Sequence, residues 1–411
     1  MSNELSTEPY KGTRDFYPED MAIQRYIFDT WAKTAESFGF ERYDASVLEP
    51  SALYKSKAAE NEEIINDQTY TFTDRGDREV TLRPEMTPSV ARMIAHKRRE
   101  LHFPVRWYSI PNVFRYERPQ RGRLREHWQL NCDVFGETHI AGDIELIALA
   151  HKILQAFGAP PSTYEIRLND RALLNSEFDT QEIPTELRNP LLALLDRKEK
   201  IDNFDEEVVK LLGKSFTVPS GIEDGSVLDE VIKGLALLGI TNVKYSQSTV
   251  RGFNYYTGVV FEIFDISGEN NRSLIGGGRY DNLTALFGGE KIPGLGFGMG
   301  DVTMRDFLIT HDLLPDSVRT TAPTLIVIPT EIEQNVPSLA IAETLRSFGI
   351  TTSVDTSDRK IGKKIGIASE RGVAYIVVVG PNELQTNHFT LKNLKTGEER
   401  SGTPEEIASQ A

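Results

Sequence analysis

Apolar positions recur at helical spacing from Met21 to Phe38, where Ile23, Tyr26, Ile27, Trp31 and Ala35 share one face and Gly39 supplies a stop. The following stretch, GFERYDASVLEP, reads as a strand ended by Pro50. Tyr70 to Thr73 and Glu79 to Arg83 read as a hairpin closed near Arg75 and Gly76. Thr87–Pro88 offers a cap and a first-turn proline, so a helix starts there. From about 105 to 136 the pattern alternates: Trp107, Ser109, Pro111 and Val113, then Leu130, Cys132 and Val134. That predicts two antiparallel strands joined by a long loop. His139 to Phe157 is helical again, and residues from about 170 to 240 are helical and charge-rich, with Pro184, Pro190 and Pro219 as breaks, which predicts a small helical insertion. Sheet character returns at 250–264. Beyond about 320, strands at 325–328, 351–354 and 374–379 alternate with helices at 338–348 and 361–371, which predicts a small, mainly parallel α/β domain.

Composition narrows the class. The 411 residues allow two or three domains, the apolar fraction of 39% is ordinary for a soluble protein, and no apolar run approaches the roughly 18 residues a membrane-spanning helix requires. The acidic, polar N-terminus carries no signal or transit leader, so the cytoplasm is the expected compartment. One cysteine, Cys132, excludes an internal disulfide, and the seven histidines show no metal-ligand spacing, so no structural metal is expected. A net charge of −15 argues against sequence-blind nucleic-acid binding through a basic domain, but leaves room for local basic patches.

One such patch is FRYERPQRGRLREHWQLNCDVFG, where Arg115, Arg118, Arg121, Arg123 and Arg125 crowd one loop. Arginine grips phosphate through a planar fork and keeps its charge, so a polyanion fits this loop; a solvated turn with surface ion pairs is the plainer reading. In LRPEMT, Arg83, Glu85 and Thr87 alternate and would share one strand face, a carboxylate beside a hydroxyl suited to an ammonium group; a surface strand reads the same. In VRGFNYYTGVVFE, Arg251 precedes Tyr255 and Tyr256, which point to opposite faces if the segment is extended, one into the core and one into a site. Gly276–Gly278 allows close backbone approach or a turn, and Gly294, Gly296, Gly298 and Gly300 clear one strand face for a flat ligand or a tight strand crossing. Walker, HExxH, GxSxG and Rossmann motifs are absent, so catalysis would rest on positioning and on charge stabilisation by arginines.

Taken in order, KGTRDFYP, GFERYDASVLEP (motif 1), LRPEMT, FRYERPQRGRLREHWQ (motif 2), RGFNYYTG, GGGRYD and the C-terminal α/β segment resemble the histidyl-tRNA synthetase family of class II aminoacyl-tRNA synthetases over nearly the whole chain. The resemblance implies an α+β catalytic domain over 1–320, with a six-stranded antiparallel sheet, flanking helices and the insertion at about 170–240, and an α/β anticodon-binding domain over 321–411. It implies ATP-dependent activation of histidine and transfer to tRNA(His), ATP arriving with Mg²⁺, in a homodimer built partly on motif 1. Arg115 and Arg251 would be catalytic, stabilising the ATP α-phosphate. Glu117, Arg123 and His127 would also bind ATP, His127 under the adenine. Glu85, Thr87 and Gln129 would hold the α-amino group, and Asp133 and Tyr256, with Tyr255 close by, the imidazole. Neutral imidazole has one donor and one acceptor nitrogen, which a carboxylate and a phenol can satisfy. Gln120 and Arg125, at the tip of the motif 2 loop, would meet the tRNA acceptor end.

The chain departs from the family pattern at four places. Val302 and Thr303 stand where motif 3 usually has Glu-Arg, leaving Arg305 as the candidate substitute. His127 replaces a phenylalanine, Asp133 a glutamate and Asn254 an aspartate. Two other functions compete. A non-catalytic, histidine-binding regulatory paralogue would lack the anticodon domain and the motif 2 arginines. A class II synthetase for proline or threonine would lack RGFNYYTG.

Overall fold

The computed structural model describes residues 5–55, 68–198, 201–218, 222–251, 255–270, 272–318 and 321–410. One compact unit is built on Ile23–Leu314 and a second on Pro315–Ala411. The strands of the first are β1 (Glu41–Arg42), β2 (Leu48–Pro50), β3 (Tyr70–Thr73), β4 (Glu79–Leu82), β5 (Val105–Ser109), β6 (Asn112–Phe114), β7 (Glu126–Phe135), β8 (Tyr164–Asp170), β9 (Val243–Tyr245), β10 (Val259–Asp265), β11 (Ser273–Arg279) and β12 (Gly294–Gly300). The main sheet runs β1-β5-β7-β12-β11-β10-β8-β9, with β6 on β7, and a small sheet runs β2-β4-β3. From β5 to β8 every pairing is antiparallel, giving the six-stranded core that the resemblance implies. β1 and β9 add parallel strands at the two edges.

The long helices form because their apolar faces have a sheet to cover. Ile27, Trp31 and Ala35 of Pro18–Ser37, and Leu146, Leu149, Ile153 and Leu154 of Ile140–Ala156, are buried with Leu130, Cys132 and Val134 of β7 in one core. Each fully buried aliphatic side chain contributes roughly 1.5–3 kcal/mol. Gly39, at φ +76°, turns the chain out of the first helix as expected. The period-2 alternation puts the other face of β7, with Gln129, Asn131 and Asp133, on the opposite side of the sheet. That face carries the site.

Four local expectations change. GFERYDASVLEP is two short strands separated by a loop, because β1 joins the main sheet and β2 the small one. LRPEMT is not a strand: β4 ends at Leu82 and a helix begins at Thr87. Arg83 therefore turns away from Glu85 and donates to the Asn112 and Ala45 carbonyls. Residues 252–254 of RGFNYYTG lie outside the described residues, and extended structure starts only at Val259, so Tyr255 and Tyr256 do not alternate. Of the helices at 170–240, Arg171–Thr180, Thr185–Asp196 and Phe204–Leu212 share a separate core around Leu174, Phe178, Leu191, Leu195 and Phe204. Val227–Leu237 instead buries Leu228, Val231 and Leu235 in the main core.

In the second unit, β13 (Leu325–Pro329), β14 (Thr352–Val354) and β15 (Tyr375–Val379) are parallel, joined by helices Asn335–Ser347 and Ile361–Glu370. β16 (Phe389–Asn393) and β17 (Glu399–Gly402) extend the sheet antiparallel beyond β15, which the apolar pattern did not announce. Among the described residues no helix is long and apolar enough to cross a membrane.

Candidate active site

The polar face of β7 floors a cavity of about 950 Å³ in the first unit. Three buried oxygens point from alternate residues of that strand with no hydrogen-bond donor among the described residues: Gln129 Oε1, Asn131 Oδ1 and Asp133 Oδ2. Burying a lone acceptor costs about 1–3 kcal/mol, so a row of three is arranged for a ligand that brings donors. The glycines of β12 make the row possible. A Cβ at Gly298 would lie 1.8 Å from Gln129 Nε2, and one at Gly296 would lie 2.5 Å from Asp133 Oδ1. The cleared strand face is thus not an open slot: the side chains of the neighbouring strand fold across it.

Glu85 and Thr87 line the cavity beside Gln129, in the turn that delivers the helix Thr87–Lys97. Tyr255 Oη donates to Glu85 Oε2 at 3.2 Å. Burial pushes the Glu85 carboxyl up to about 7, against the lowering effects of Arg115, the Tyr255 hydrogen bond and Arg251. Tyr255, Tyr256 and Tyr280 are all buried; Tyr280 packs edge to face against both others, and Tyr255 and Tyr256 are tilted on each other with centroids 4.8 Å apart. Both tyrosines of the pair face the cavity, where the extended reading had split them between core and site. Asp133 is not itself a wall residue; Tyr280, which is, donates to Asp133 Oδ1.

Arg115 and Arg251 enter from two sides. Arg115 Nε donates to the Pro84 carbonyl at 2.9 Å, which aims the rest of its fork into the cavity. Arg251 sits at φ +59°, a strained conformation for a side-chain-bearing residue, and its Nη1 donates to Glu262 Oε1 at 2.6 Å. Its Nε is buried without an acceptor among the described residues. Burial lowers its pKa, but Tyr256 and Glu262 outweigh that and raise it, so the cation is permanent. The guanidinium lies over Gly276, where a Cβ would come within 2.1 Å of Nη1. The glycine triplet lies within β11 rather than in a turn, and its missing side chain is the arginine's berth.

On the far side, Arg123 pairs with Glu117 at 2.9 Å, and His127 lies in the wall beside them. Burial, and then the charges of Arg115 and Arg14, lower the His127 pKa to about 3, leaving a flat, neutral ring. The motif 2 loop turns tightly at Arg121–Gly122, closed by backbone bonds between Gln120 and Arg123. Gln120 is exposed next to that tip. Arg125 is not at the tip: it is buried at the loop base, stacked on Tyr116 at 4.0 Å and donating to Tyr10 Oη at 3.0 Å and the Glu117 carbonyl at 3.2 Å. Among the described residues no group of three or more metal-ligating side chains occurs.

The family profile described as "Histidyl-tRNA synthetase" matches residues 12–210 and 203–301, and that described as "Anticodon binding domain" matches 324–410. The "Histidine--tRNA ligase" of Leptospira biflexa is 42% identical over 419 residues, covering 95% of this chain and 94% of its own. That of Thermoplasma volcanium is 38% identical, with 96% of each chain covered. In fold, the chain matches the crystal structure of histidyl-tRNA synthetase from Nostoc with a TM-score of 0.80, covering 99% of this chain and 100% of that one at 24% identity. The chain belongs to the histidyl-tRNA synthetase family.

In this family member several residues in and around the cavity carry no signal in the sequence by themselves. Tyr280 follows the glycine triplet in GGGRYD, yet its hydroxyl orients Asp133. Asn131 is an unremarkable residue in an alternating strand. Asp301, in the altered motif 3, accepts from the Trp128 amide at 2.9 Å and from Arg14 of KGTRDFYP at 2.6 Å, tying three motifs together.

Asp133 also makes the synthetase's stability pH-dependent. Burial pushes its carboxyl up to about 7, although the Tyr280 hydrogen bond lowers it. A carboxyl with a folded pKa above its unfolded value stabilises fully below the unfolded value, near 4, and loses that contribution as pH rises through about 7. The Tm of an Asp133→Asn variant relative to the parent is therefore expected to rise between pH 5 and pH 8. A Tm difference that stays flat over that range would show that Asp133 is ionised without cost.

Proposed function

We infer that this chain is a histidine–tRNA ligase that joins L-histidine to ATP as histidyl-adenylate and passes the histidyl group to the 3′ end of tRNA(His). The observation that carries this reading is that Gln129 and Asn131, whose buried oxygens have no donor among the described residues, share one cavity with Arg115 and Arg251. A zwitterionic substrate with an extra ring donor fits the first, and a phosphate under attack fits the second.

Glu85, Thr87 and Gln129 take the α-ammonium, which shifts Glu85 to its ionised form. Asp133 and Tyr256, with Tyr280 holding Asp133 in place, take the imidazole nitrogens. An analogue without those nitrogens leaves buried polar groups unpaired, worth about 10⁴-fold in discrimination. A histidine carboxylate oxygen attacks the α-phosphorus, the bond to pyrophosphate breaks, and Arg115 and Arg251 stabilise the charge that builds on the phosphate. The terminal ribose hydroxyl of the tRNA then attacks the histidyl carbonyl, and AMP leaves. Mg²⁺ comes with the nucleotide: the donor set suits an ion held by phosphates and water, with Glu117 the nearby wall carboxylate, and the ion would add charge neutralisation there. Gln120 at the loop tip meets the acceptor end of the tRNA, while Arg125 supports the loop from beneath.

The catalytic domain is read as 1–320 and the anticodon-binding domain as 321–411. A homodimer is supported by Val47, Leu48 and Phe72, which stay exposed on the small sheet and its motif 1 approach. The cytoplasm is the expected compartment. The regulatory-paralogue reading loses ground because Arg115, Arg123, Arg251 and a C-terminal α/β unit are all present.

ATP–pyrophosphate exchange with purified protein and Mg²⁺ is expected with histidine and with no other amino acid. Histidine binding without exchange would reverse the reading in favour of a regulator. Exchange with proline or threonine would make it a different synthetase.

A further inference from the structure

Arg272, immediately before β11, lines the cavity on the side of Glu117 and Arg123. A Cβ at Gly122, the loop-tip glycine, would lie 2.9 Å from Arg272 Cδ and 3.7 Å from Thr303 Cγ2, so both side chains flank the tip. Arg123, Gly122, Arg272 and Thr303 all line the cavity. Arg123 has Glu117 as its partner at 2.9 Å, whereas Arg272 makes no hydrogen bond or ion pair among the described residues. Burial and then the charge of Arg123 lower the Arg272 pKa, while Glu117 raises it. Two guanidinium groups near one carboxylate, only one of them paired with it, leave room for an anion in this concave wall.

We propose that Arg272, with Arg123, grips the terminal phosphates of ATP and replaces the cation that Thr303 does not supply. The proposal rests on the ATP-activation reading above. Arg272 precedes Gly276, the berth of Arg251, by four residues, about 13 Å along an extended strand. It therefore serves a different part of the nucleotide from Arg251. Arg305, the substitute named by its position in the sequence, is not a lining residue of the cavity. The side chain of Thr303 is short and neutral, which leaves space beside the loop tip that Arg272, just before β11, enters.

The test compares equilibrium binding of ATP and of AMP to the full-length parent, Arg272→Gln and Arg272→Gln/Thr303→Arg, alongside exchange kinetics. Arg272→Gln is expected to weaken ATP binding and raise the exchange KM for ATP about tenfold or more. Its AMP affinity and its KM for histidine should stay within about twofold, since neither ligand carries terminal phosphates. The added arginine at 303 should recover most of the lost ATP affinity. Equal weakening of ATP and AMP would overturn the proposal by showing a structural or adenine-side role, and so would unchanged ATP affinity. A parent that binds ATP through Arg272 but exchanges with no amino acid would sink the ligase reading alone. A parent that binds ATP no tighter than AMP would sink the terminal-phosphate role alone if histidine exchange persists.

Discussion

An Arg251→Ala variant is expected to lose about 10²–10³-fold in kcat/KM for histidine-dependent pyrophosphate exchange, with a folded protein that still binds histidine. The loss corresponds to about 3–4 kcal/mol of transition-state stabilisation, the usual worth of a preorganised donor in a site sheltered from water. The structure prepares this arginine at some cost. It holds a left-handed backbone conformation, keeps Nε without an acceptor and places its fork over a glycine that must remain bare. A residue needed only for the Glu262 ion pair would call for none of these. A second variant separates charge from folding. Gly276→Ala keeps the arginine but drives a methyl group into it, so it should depress kcat by a comparable factor while histidine affinity changes little. If both variants exchange at the parental rate, Arg251 has a structural role and the α-phosphate is served by Arg115 alone.

How far the sequence reveals this site depends on whether a residue's meaning is local. Periodicity located the helix at 18–37, because an amphipathic face is written in consecutive spacing and needs no partner to be read, and the Thr87–Pro88 cap located the start of the one at 87–97. The alternation of Leu130, Cys132 and Val134 marked β7 for a similar reason, and the structure places Gln129, Asn131 and Asp133 on its other face. Tyr255 and Tyr256 were misplaced because the chain there is not extended, which the two letters themselves do not show. Arg125 looked like its four neighbours in the loop. Only the fold shows that KGTRDFYP brings Tyr10 onto it and makes it a buttress. Tyr280 and Arg272 were invisible for a related reason: each acts through a group from a distant segment, Asp133 or the Gly122 turn. The resemblance carried residues whose roles attach to motif letters. It had nothing to offer where the chain departs from the motif.

The alternate glycines of β12 and the triplet of β11 give the other large expected effect, a difference between two substitutions that look alike on paper. Gly277→Ala should prevent folding or cost several kcal/mol, since its Cβ would lie 2.3 Å from the Gly296 carbonyl oxygen and 2.7 Å from the Phe297 Cα, backbone that cannot move without parting two central strands. Gly298→Ala meets only the far end of Gln129, an amide at 1.8 Å on a flexible stem that can rotate away. That protein should therefore fold with nearly parental Tm, yet its histidine KM should rise about tenfold or more, because Gln129 no longer presents Oε1 to the ammonium group. The KM for ATP should hardly move. Thermal melts and exchange kinetics on the two variants read both halves of the argument. A Gly298→Ala protein with an unchanged histidine KM would remove Gln129 from the ammonium site. A Gly277→Ala protein with parental Tm would mean that β11 and β12 can separate by far more than close-packed antiparallel strands allow. The same missing atoms thus serve two ends: at 277 they let the sheet close, and at 298 they let the Gln129 side chain lie across it.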